Sequence, residues 1–191
     1  MQGLRQLFAV LLLGATAVTG AAQERNNKAE EQYSAILTNI SNVGATGLTP
    51  VDIGITRWTP DDENARLLNI LRNDGQEAFL RALVDVKPVG WIATPTSLRY
   101  DFFYARTGTT DGGGRRIMLI TDRPMQIWER LQATRSRDYP FTVVELRLDK
   151  DGKGSGTLAQ LVQLRLSGDV LGIENLATGP MKLSEVKRKK R

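Results

Sequence analysis

Short runs of alternating apolar and polar residues recur along most of the chain and predict β-strands. In one run Val51, Ile53 and Ile55 share one face and polar or small residues share the other, which is typical of a strand with one buried face. After Pro88 such runs follow one another closely, separated by short turns of Pro, Gly and Asp. The predicted strands cover residues 33–41, 51–58, 89–94, 98–106, 115–121, 139–149, 157–167 and 169–176.

Helical patterns interrupt this series of strands. Thr59 and Pro60, followed by acids, match a helix start with a hydroxyl at the N-cap and proline at the first position. A second start signal at 74–77 predicts a short break, so we expect a helical pair at about 60–86, and a further short helix near 124–132. The order of elements predicts an α+β fold with a mostly antiparallel sheet of about eight strands, which can curl into a barrel or a sandwich.

The N-terminal residues have the composition of a secretory signal peptide. Arg5 precedes an uncharged apolar run at 7–19, and small residues at 20–22 provide a cleavage site. The run is shorter than the roughly 17 to 25 residues that a membrane-spanning helix needs, although a retained anchor is the alternative. We therefore expect a signal peptide at 1–22, a single α+β domain at 23–186, and a periplasmic or secreted protein.

The chain has no histidine and no cysteine. Catalytic triads with histidine, thiolate nucleophiles, and zinc sites built on imidazole or thiolate are therefore excluded, as are disulfides. Carboxylate acid–base chemistry, oxygen-ligand cation sites and simple binding remain. We expect no bound metal and no cofactor.

The positive charge of the chain is concentrated in its last residues. The formal net charge is +5, but Arg5 and residues 187–191 supply six of the 26 basic groups, which leaves 20 against 21 acidic groups between them. A nearly neutral body lacks the basic face of a nucleic-acid-binding protein. We expect 187–191 to form a disordered basic tail with at most a weak contact to an anionic surface.

Two glycine-containing loops imitate ligand-binding motifs. The glycines at 112–114, followed by Arg115, could hold an anion, but a phosphate loop needs a Gly-Lys-Ser/Thr ending and a following helix. The loop that begins at Asp149 imitates a calcium loop, but Lys153 and Gln160 stand where acids belong. Both loops are better interpreted as hairpin turns.

Aromatic residues and one polar loop are the remaining candidates for a site. Arg135, Arg137 and Asp138 form a polar loop in which the two arginines could grip a carboxylate or a phosphate; a solvated loop with a local ion pair is the alternative. The aromatic residues could either fill the core or line a ligand pocket, and they are Trp58, Trp91, Trp128, Tyr100, Phe102, Phe103 and Tyr104.

Four segments of the chain resemble exported bacterial proteins that have no assigned activity. They are residues 57–83 (RWTPDDENARLLNILRNDGQEAFLRAL), 88–106 (PVGWIATPTSLRYDFFYAR), 111–124 (DGGGRRIMLITDRP) and 137–154 (RDYPFTVVELRLDKDGKG). The resemblance agrees with export and implies no substrate, cofactor or site. We therefore expect a non-enzymatic binding or scaffold module. The alternatives are a carrier of a small apolar ligand inside a curled sheet, and a hydrolase that uses carboxylates such as Asp101, Asp122 or Asp138.

Overall fold

The computed structural model describes residues 30–38, 47–96, 99–110, 112–122, 139–168, 170–175 and 179–190. They form one antiparallel sheet with the strand order β4-β3-β2-β1-β10-β8-β7-β6-β5, in which β9 pairs with β8 outside this path. The elements are β1 (Glu31–Thr38), β2 (Leu48–Ile55), α1 (Asp61–Val84), β3 (Gly90–Ala93), β4 (Tyr100–Phe102), β5 (Tyr104–Thr109), β6 (Arg115–Thr121), β7 (Phe141–Leu148), β8 (Lys153–Ser167), β9 (Val170–Asn175) and β10 (Met181–Arg188).

The sheet curls into a nearly closed barrel because its two end strands are consecutive in the chain. Only Phe103 separates β4, which pairs with β3, from β5, which pairs with β6. The Phe103 N–H donates to the carbonyl of Ile120 at 3.0 Å, and the Val89 N–H donates to the carbonyl of Phe102 at 2.8 Å. The predicted α+β class and the mostly antiparallel sheet are therefore confirmed, and the curl takes the form of a barrel.

The register of the strands separates an inner face from an outer face. Directly paired residues share a face, so Tyr33, Ile53, Ile92 and Tyr100 form one row across β1 to β4. A second inner row crosses the remaining strands and consists of Ala105, Leu119, Val144, Leu158 and Met181. All of these side chains except that of Tyr100 are buried, and they form the barrel interior.

The helix α1 covers part of the outer face. The ring of Phe79 packs edge-on against that of Phe141, with 5.6 Å between the centroids, and the Tyr104 hydroxyl donates to Oδ1 of Asn64 at 2.7 Å. This coverage explains why the first four residues of β7 are all buried, whereas from Glu145 onward buried and more exposed positions alternate. Burial under the helix raises the pKa of Tyr104 to about 12.

The start of α1 differs from the expected capping arrangement. Pro60 is the N-cap and no side chain caps the helix. The Thr59 hydroxyl instead accepts from the Ala105 N–H at 2.9 Å, and the Thr59 N–H donates to the Ala105 carbonyl at 2.9 Å. The capping prediction was wrong because a tertiary partner on β5 takes the hydroxyl of Thr59.

The expected break near 74–77 is a kink inside one helix. Gly75 has the non-helical angles φ 80 and ψ −178 and divides α1 into two helical segments, so the predicted break is confirmed, and the two segments form one kinked element. The acids of the first turn are engaged by arginines: Asp61 with Arg106 at 2.7 Å, and Glu63 with Arg57 at 3.3 Å. The helix expected near 124–132 lies outside the described residues.

The described residues form ten strands where the sequence predicted about eight. The run 98–106 is two strands divided at Phe103, and β10 was not predicted as a separate strand. The expected disordered tail from residue 187 also needs correction, because Lys187 and Arg188 belong to β10 and the Lys189 N–H donates to the carbonyl of Gln32 at 2.8 Å. Among the described helical residues, no segment is long and apolar enough to cross a membrane.

Candidate binding groove

A groove of about 400 Å³ lies on the barrel where β2 begins and β3 ends. Its apolar and polar walls come from segments of the chain that are far apart in sequence. The side chains that define its chemistry are those of Pro50, Asp52, Trp91, Thr94, Pro95 and Arg99.

Trp91 is held against the outer face of β2 by the absence of a side chain at Gly54. The two residues are directly paired across β2 and β3. A Cβ atom at Gly54 would lie only 2.4 Å from Cε2 of the indole, so only glycine lets the ring lie flat on this strand. Trp91 is 9% exposed and therefore forms a fixed wall of the groove.

Two charged side chains, Arg99 and Asp52, line the groove. The guanidinium carbon of Arg99 lies 4.1 Å from the centroid of the Trp91 ring, within the range of a cation–π contact. Asp52 contributes a carboxylate, and Nζ of Lys189 lies 2.8 Å from its Oδ1. The groove thus combines an aromatic wall, an arginine stacked on it, and a carboxylate that already has a cationic neighbour.

A second charged cluster occupies the opposite rim of the barrel. Glu31 lies 3.0 Å from Nη1 of Arg115 and 3.4 Å from Nη2 of Arg188, and it accepts a short hydrogen bond from the Tyr33 hydroxyl. Burial and the neighbouring Glu31 carboxylate raise the pKa of Tyr33. A cavity of about 110 Å³ lies beside the cluster. Because Glu31 already pairs with both arginines and accepts from Tyr33, we assign this cluster a structural role.

A third ion-pair group lies on the outer face of β6 and β7. Glu145 is 2.7 Å from Nη2 of Arg116 and 2.6 Å from Nε of Arg147. Burial alone would raise the pKa of Glu145, but the hydrogen bonds from the two arginines outweigh it and hold that pKa below its ordinary value. This group joins neighbouring strands and borders no cavity that we describe.

The residues expected from the sequence to form a site are distributed differently. Arg135, Arg137 and Asp138 lie outside the described residues, as does Trp128. Asp101 is exposed on β4, where it pairs directly with Trp91 and shares the outer face of the sheet with it, and Asp122 directly follows β6.

The two glycine-containing loops, at 112–114 and from Asp149 onward, are confirmed as hairpin turns. Oδ1 of Asp149 accepts from the N–H groups of Asp151 and Lys153, each at 2.9 Å. The Thr110 N–H donates to the carbonyl of Gly114 at 3.0 Å and closes the other turn. Within the described ranges, no three His, Cys, Asp or Glu residues lie close enough together to hold a metal ion.

The aromatic residues divide between the core and the groove. Phe102 and Tyr104 are buried core residues, whereas Trp91 lines the groove. Trp58 is not among the residues that line the groove, and its ring centroid lies 5.5 Å from the guanidinium carbon of Arg115. The alternation in β2 already placed Asp52 and Gly54 together on the outer face, but their meeting with Trp91 depends on the β2–β3 register.

No protein-family model, curated protein or solved structure matches this chain. The candidate site therefore rests on geometry and chemistry.

Proposed function

We propose that the protein is an exported, non-enzymatic binding module whose ligand site is the groove at Trp91. The observation that carries the proposal is the groove itself, with a fixed indole wall, a stacked arginine and a volume of about 400 Å³. Small-molecule sites are mostly apolar concavities of about 300 to 1,000 Å³ with a few placed polar groups. The groove matches this description in its volume and in its few placed polar groups.

The barrel interior favours an external site over an enclosed carrier cavity. Tyr33, Leu37, Ile53 and Phe102 are fully buried there and fill the space between the strands with large side chains. A carboxylate-dependent hydrolase, the other alternative, would need two carboxyl groups converging in a cleft. Asp52 is the one carboxylate among the lining residues of the groove, and Asp101, which pairs with Trp91 on the same face, is exposed and outside that lining.

Export is supported by the charged, apolar and small-residue order of residues 1–22. When the full chain is expressed in a bacterial host, we expect protein that begins at about Gln23 in the periplasmic fraction or the medium. Intact-mass measurement identifies the start of the chain. Full-length protein confined to the cytosol or the membrane pellet would overturn the export proposal.

Ligand binding is tested with a protein in which Trp91 is the sole tryptophan. The chain has three tryptophans, so the double substitution Trp58→Phe and Trp128→Phe isolates the groove fluorophore. A library of small metabolites is screened by thermal shift, and the hits are titrated by fluorescence. We expect hits to change Trp91 emission and, at 100 times Kd, to stabilise the fold by about 2.7 kcal/mol.

The matched control keeps Trp58 as the sole tryptophan through Trp91→Phe and Trp128→Phe. This protein should show weaker binding, and its remaining fluorophore should not respond. Hits that stabilise both proteins equally and leave Trp91 emission unchanged would place binding elsewhere. Either that result or a screen without hits would overturn the groove as the ligand site.

A further inference from the structure

We infer that the outer face of β6, β7, β8 and β10 binds a linear acidic polysaccharide. The inference goes beyond the proposed function and does not depend on it, because none of the residues that carry it lines the groove at Trp91. Those residues are four basic side chains on adjacent strands of the barrel, here called the basic strip: Arg116, Arg147, Lys153 and Lys187.

Like charges face each other within the basic strip. Arg116 pairs directly with Arg147 across β6 and β7, and Lys187 pairs directly with Lys153 across β10 and β8. Directly paired side chains share a face of the sheet, and like charges in such positions destabilise it. The sheet thus carries the same unfavourable pairing twice on one face. An anionic partner bound across the strip would offset the repulsion in both pairs.

The carboxylates beside the basic strip neutralise only half of its charge. Glu145 lies 2.7 Å from Nη2 of Arg116 and 2.6 Å from Nε of Arg147. Oε2 of Glu185 lies 3.3 Å from Nζ of Lys187. Each pair of cations therefore has one carboxylate and keeps an excess of positive charge.

The basic strip also keeps donors that a ligand can use. Arg147 is exposed and reaches Glu145 through Nε alone, so its two terminal amino groups can donate to a ligand. Lys153 is exposed, and its ammonium group has no ion-pair partner among the described residues. Each like-charged pair thus contributes one side chain that is ready to bind an anion.

The other charged groups near the basic strip leave the balance positive. Lys182 adds a cation on the same face, and Lys190 follows β10. The turn between β7 and β8 adds Lys150 and two acids, Asp149 and Asp151. Ion pairs border the face on both sides, and they are Lys189 with Asp52, Arg188 and Arg115 with Glu31, and Arg106 with Asp61. With all of these groups and Glu30 counted, cations still exceed acids.

The curvature of the basic strip favours a flexible chain over a flat or straight partner. Its four strands are consecutive among the nine on the barrel path, so the strip follows about a third of the circumference. A membrane surface is flat on this scale and a nucleic-acid duplex is straight, so either would reach only part of the strip. A flexible polymer can follow its whole length.

The neutral side chains around the basic strip favour a sugar polymer over a single-stranded nucleic acid. Single-stranded nucleic acids are held in large part by bases that stack on aromatic side chains. The four strands contain one aromatic residue, Phe141, and it is buried beneath α1. Ser155 and Thr157 instead place hydroxyl groups on the open outer face, where they can hydrogen-bond to sugar hydroxyls.

The probes are dextran sulfate and dextran of the same length, which differ only in their sulfate groups. Binding to the purified protein is measured by calorimetry at pH 7, at low and at physiological salt. We expect dextran sulfate to bind, with an affinity that falls steeply as salt is raised, because a bound polyanion releases counterions. Dextran should not bind measurably, and dextran binding equal to that of dextran sulfate would overturn the role of the charges.

Two double variants with the same loss of charge locate the site. Arg147→Gln with Lys153→Gln removes one member of each like-charged pair, so the fold should be kept, as circular dichroism will show. The Kd for dextran sulfate should rise by roughly tenfold or more, because two basic contacts with an anionic partner are lost. The control, Arg66→Gln with Lys87→Gln, removes one arginine and one lysine from exposed positions outside the four strands and should leave the Kd nearly unchanged.

Two results with these variants would overturn the basic strip as the site. Equal losses of affinity in the two double variants would mean that only overall charge matters. Unchanged affinity in both would place binding elsewhere, for example at the last residues of the chain.

Two further probes test the class of partner. A single-stranded oligothymidylate and vesicles of phosphatidylglycerol carry phosphate charges on a nucleic acid and on a membrane, and each should bind more weakly per charge than dextran sulfate. If either binds as tightly, and loses affinity in the variant with Arg147→Gln and Lys153→Gln, the partner is a nucleic acid or a membrane. That result would overturn the assignment to a polysaccharide.

Discussion

Replacing Gly54 with alanine should force the Trp91 indole out of its position. The added Cβ would lie 2.4 Å from Cε2, 2.5 Å from Nε1 and 2.7 Å from Cζ2 of the ring. Unstrained carbon contacts need about 3.5 Å, so the ring must shift by about 1 Å. The strain of such overpacking is typically about 1 to 3 kcal/mol.

A double-mutant cycle with Trp91→Val separates this strain from the general effect of alanine in a strand. Alanine favours the strand conformation over glycine by about 0.5 to 1 kcal/mol. In the Trp91→Val background, where no ring is present, Gly54→Ala should therefore stabilise by that amount. In the natural background the clash between the new Cβ and the indole opposes this gain. The changes in unfolding free energy caused by Gly54→Ala in the two backgrounds should therefore differ by about 1 to 3 kcal/mol.

The assay is urea unfolding followed by far-ultraviolet circular dichroism, which does not depend on tryptophan. Gly108→Ala is the matched control, because a Cβ at this glycine of β5 would meet nothing within 4 Å. Its effect should be the same in both backgrounds. If Gly54→Ala also changes the free energy of unfolding equally in the two backgrounds, the indole does not press on β2 and the described geometry of the groove is wrong.

Three further substitutions test the fold through its polar groups. Thr142 is fully buried and its hydroxyl has no hydrogen-bond partner among the described residues. Thr142→Val should therefore raise the free energy of unfolding, measured in urea, by about 1 kcal/mol. A decrease in that free energy by the same amount would show that the hydroxyl has a partner. Folding lowers the pKa of Glu145 from its ordinary value of 4.5, so its ionised carboxylate stabilises the fold at pH values above about 4.5. The stability difference between wild type and Glu145→Gln should therefore shrink as the pH falls below about 4.5, and a constant difference from pH 7 to pH 3 would contradict this. Because the pKa of Tyr104 rises from 10.0 to about 12 on folding, wild type should lose stability above pH 10 more steeply than Tyr104→Phe, and identical slopes would count against its burial.

The sequence predicted strands well where apolar and polar residues alternate and only one face of the strand is buried. Val51, Ile53 and Ile55 are all buried, as the alternation in β2 indicated. The pattern failed in β10 because the register shifts between Leu183 and Val186, where Glu185 adopts φ 51. A β-bulge adds one residue and moves the following side chains to the other face, so strict alternation is lost.

The candidate site was less predictable because it depends on pairing between distant residues. Trp91 was singled out as an aromatic residue, but its partners Gly54 and Arg99 were not. The contact between Trp91 and Gly54 exists only in one register of β2 and β3, and a slip of one residue would turn the indole to the other face. Thr59 shows the same limit, because its local capping signal was overridden by Ala105 on β5.

The position of β10 in the sheet has a consequence for how the chain folds. This strand lies between β1 and β8 and so joins two groups of strands, β4-β3-β2-β1 and β8-β7-β6-β5, that are formed from earlier parts of the chain. Until β10 is inserted, β1 and β8 each present an open edge that can pair with another molecule. Because this closure links sequence-distant residues, it delays folding and prolongs that exposure. A growing chain therefore completes its barrel only after β10 has been synthesised.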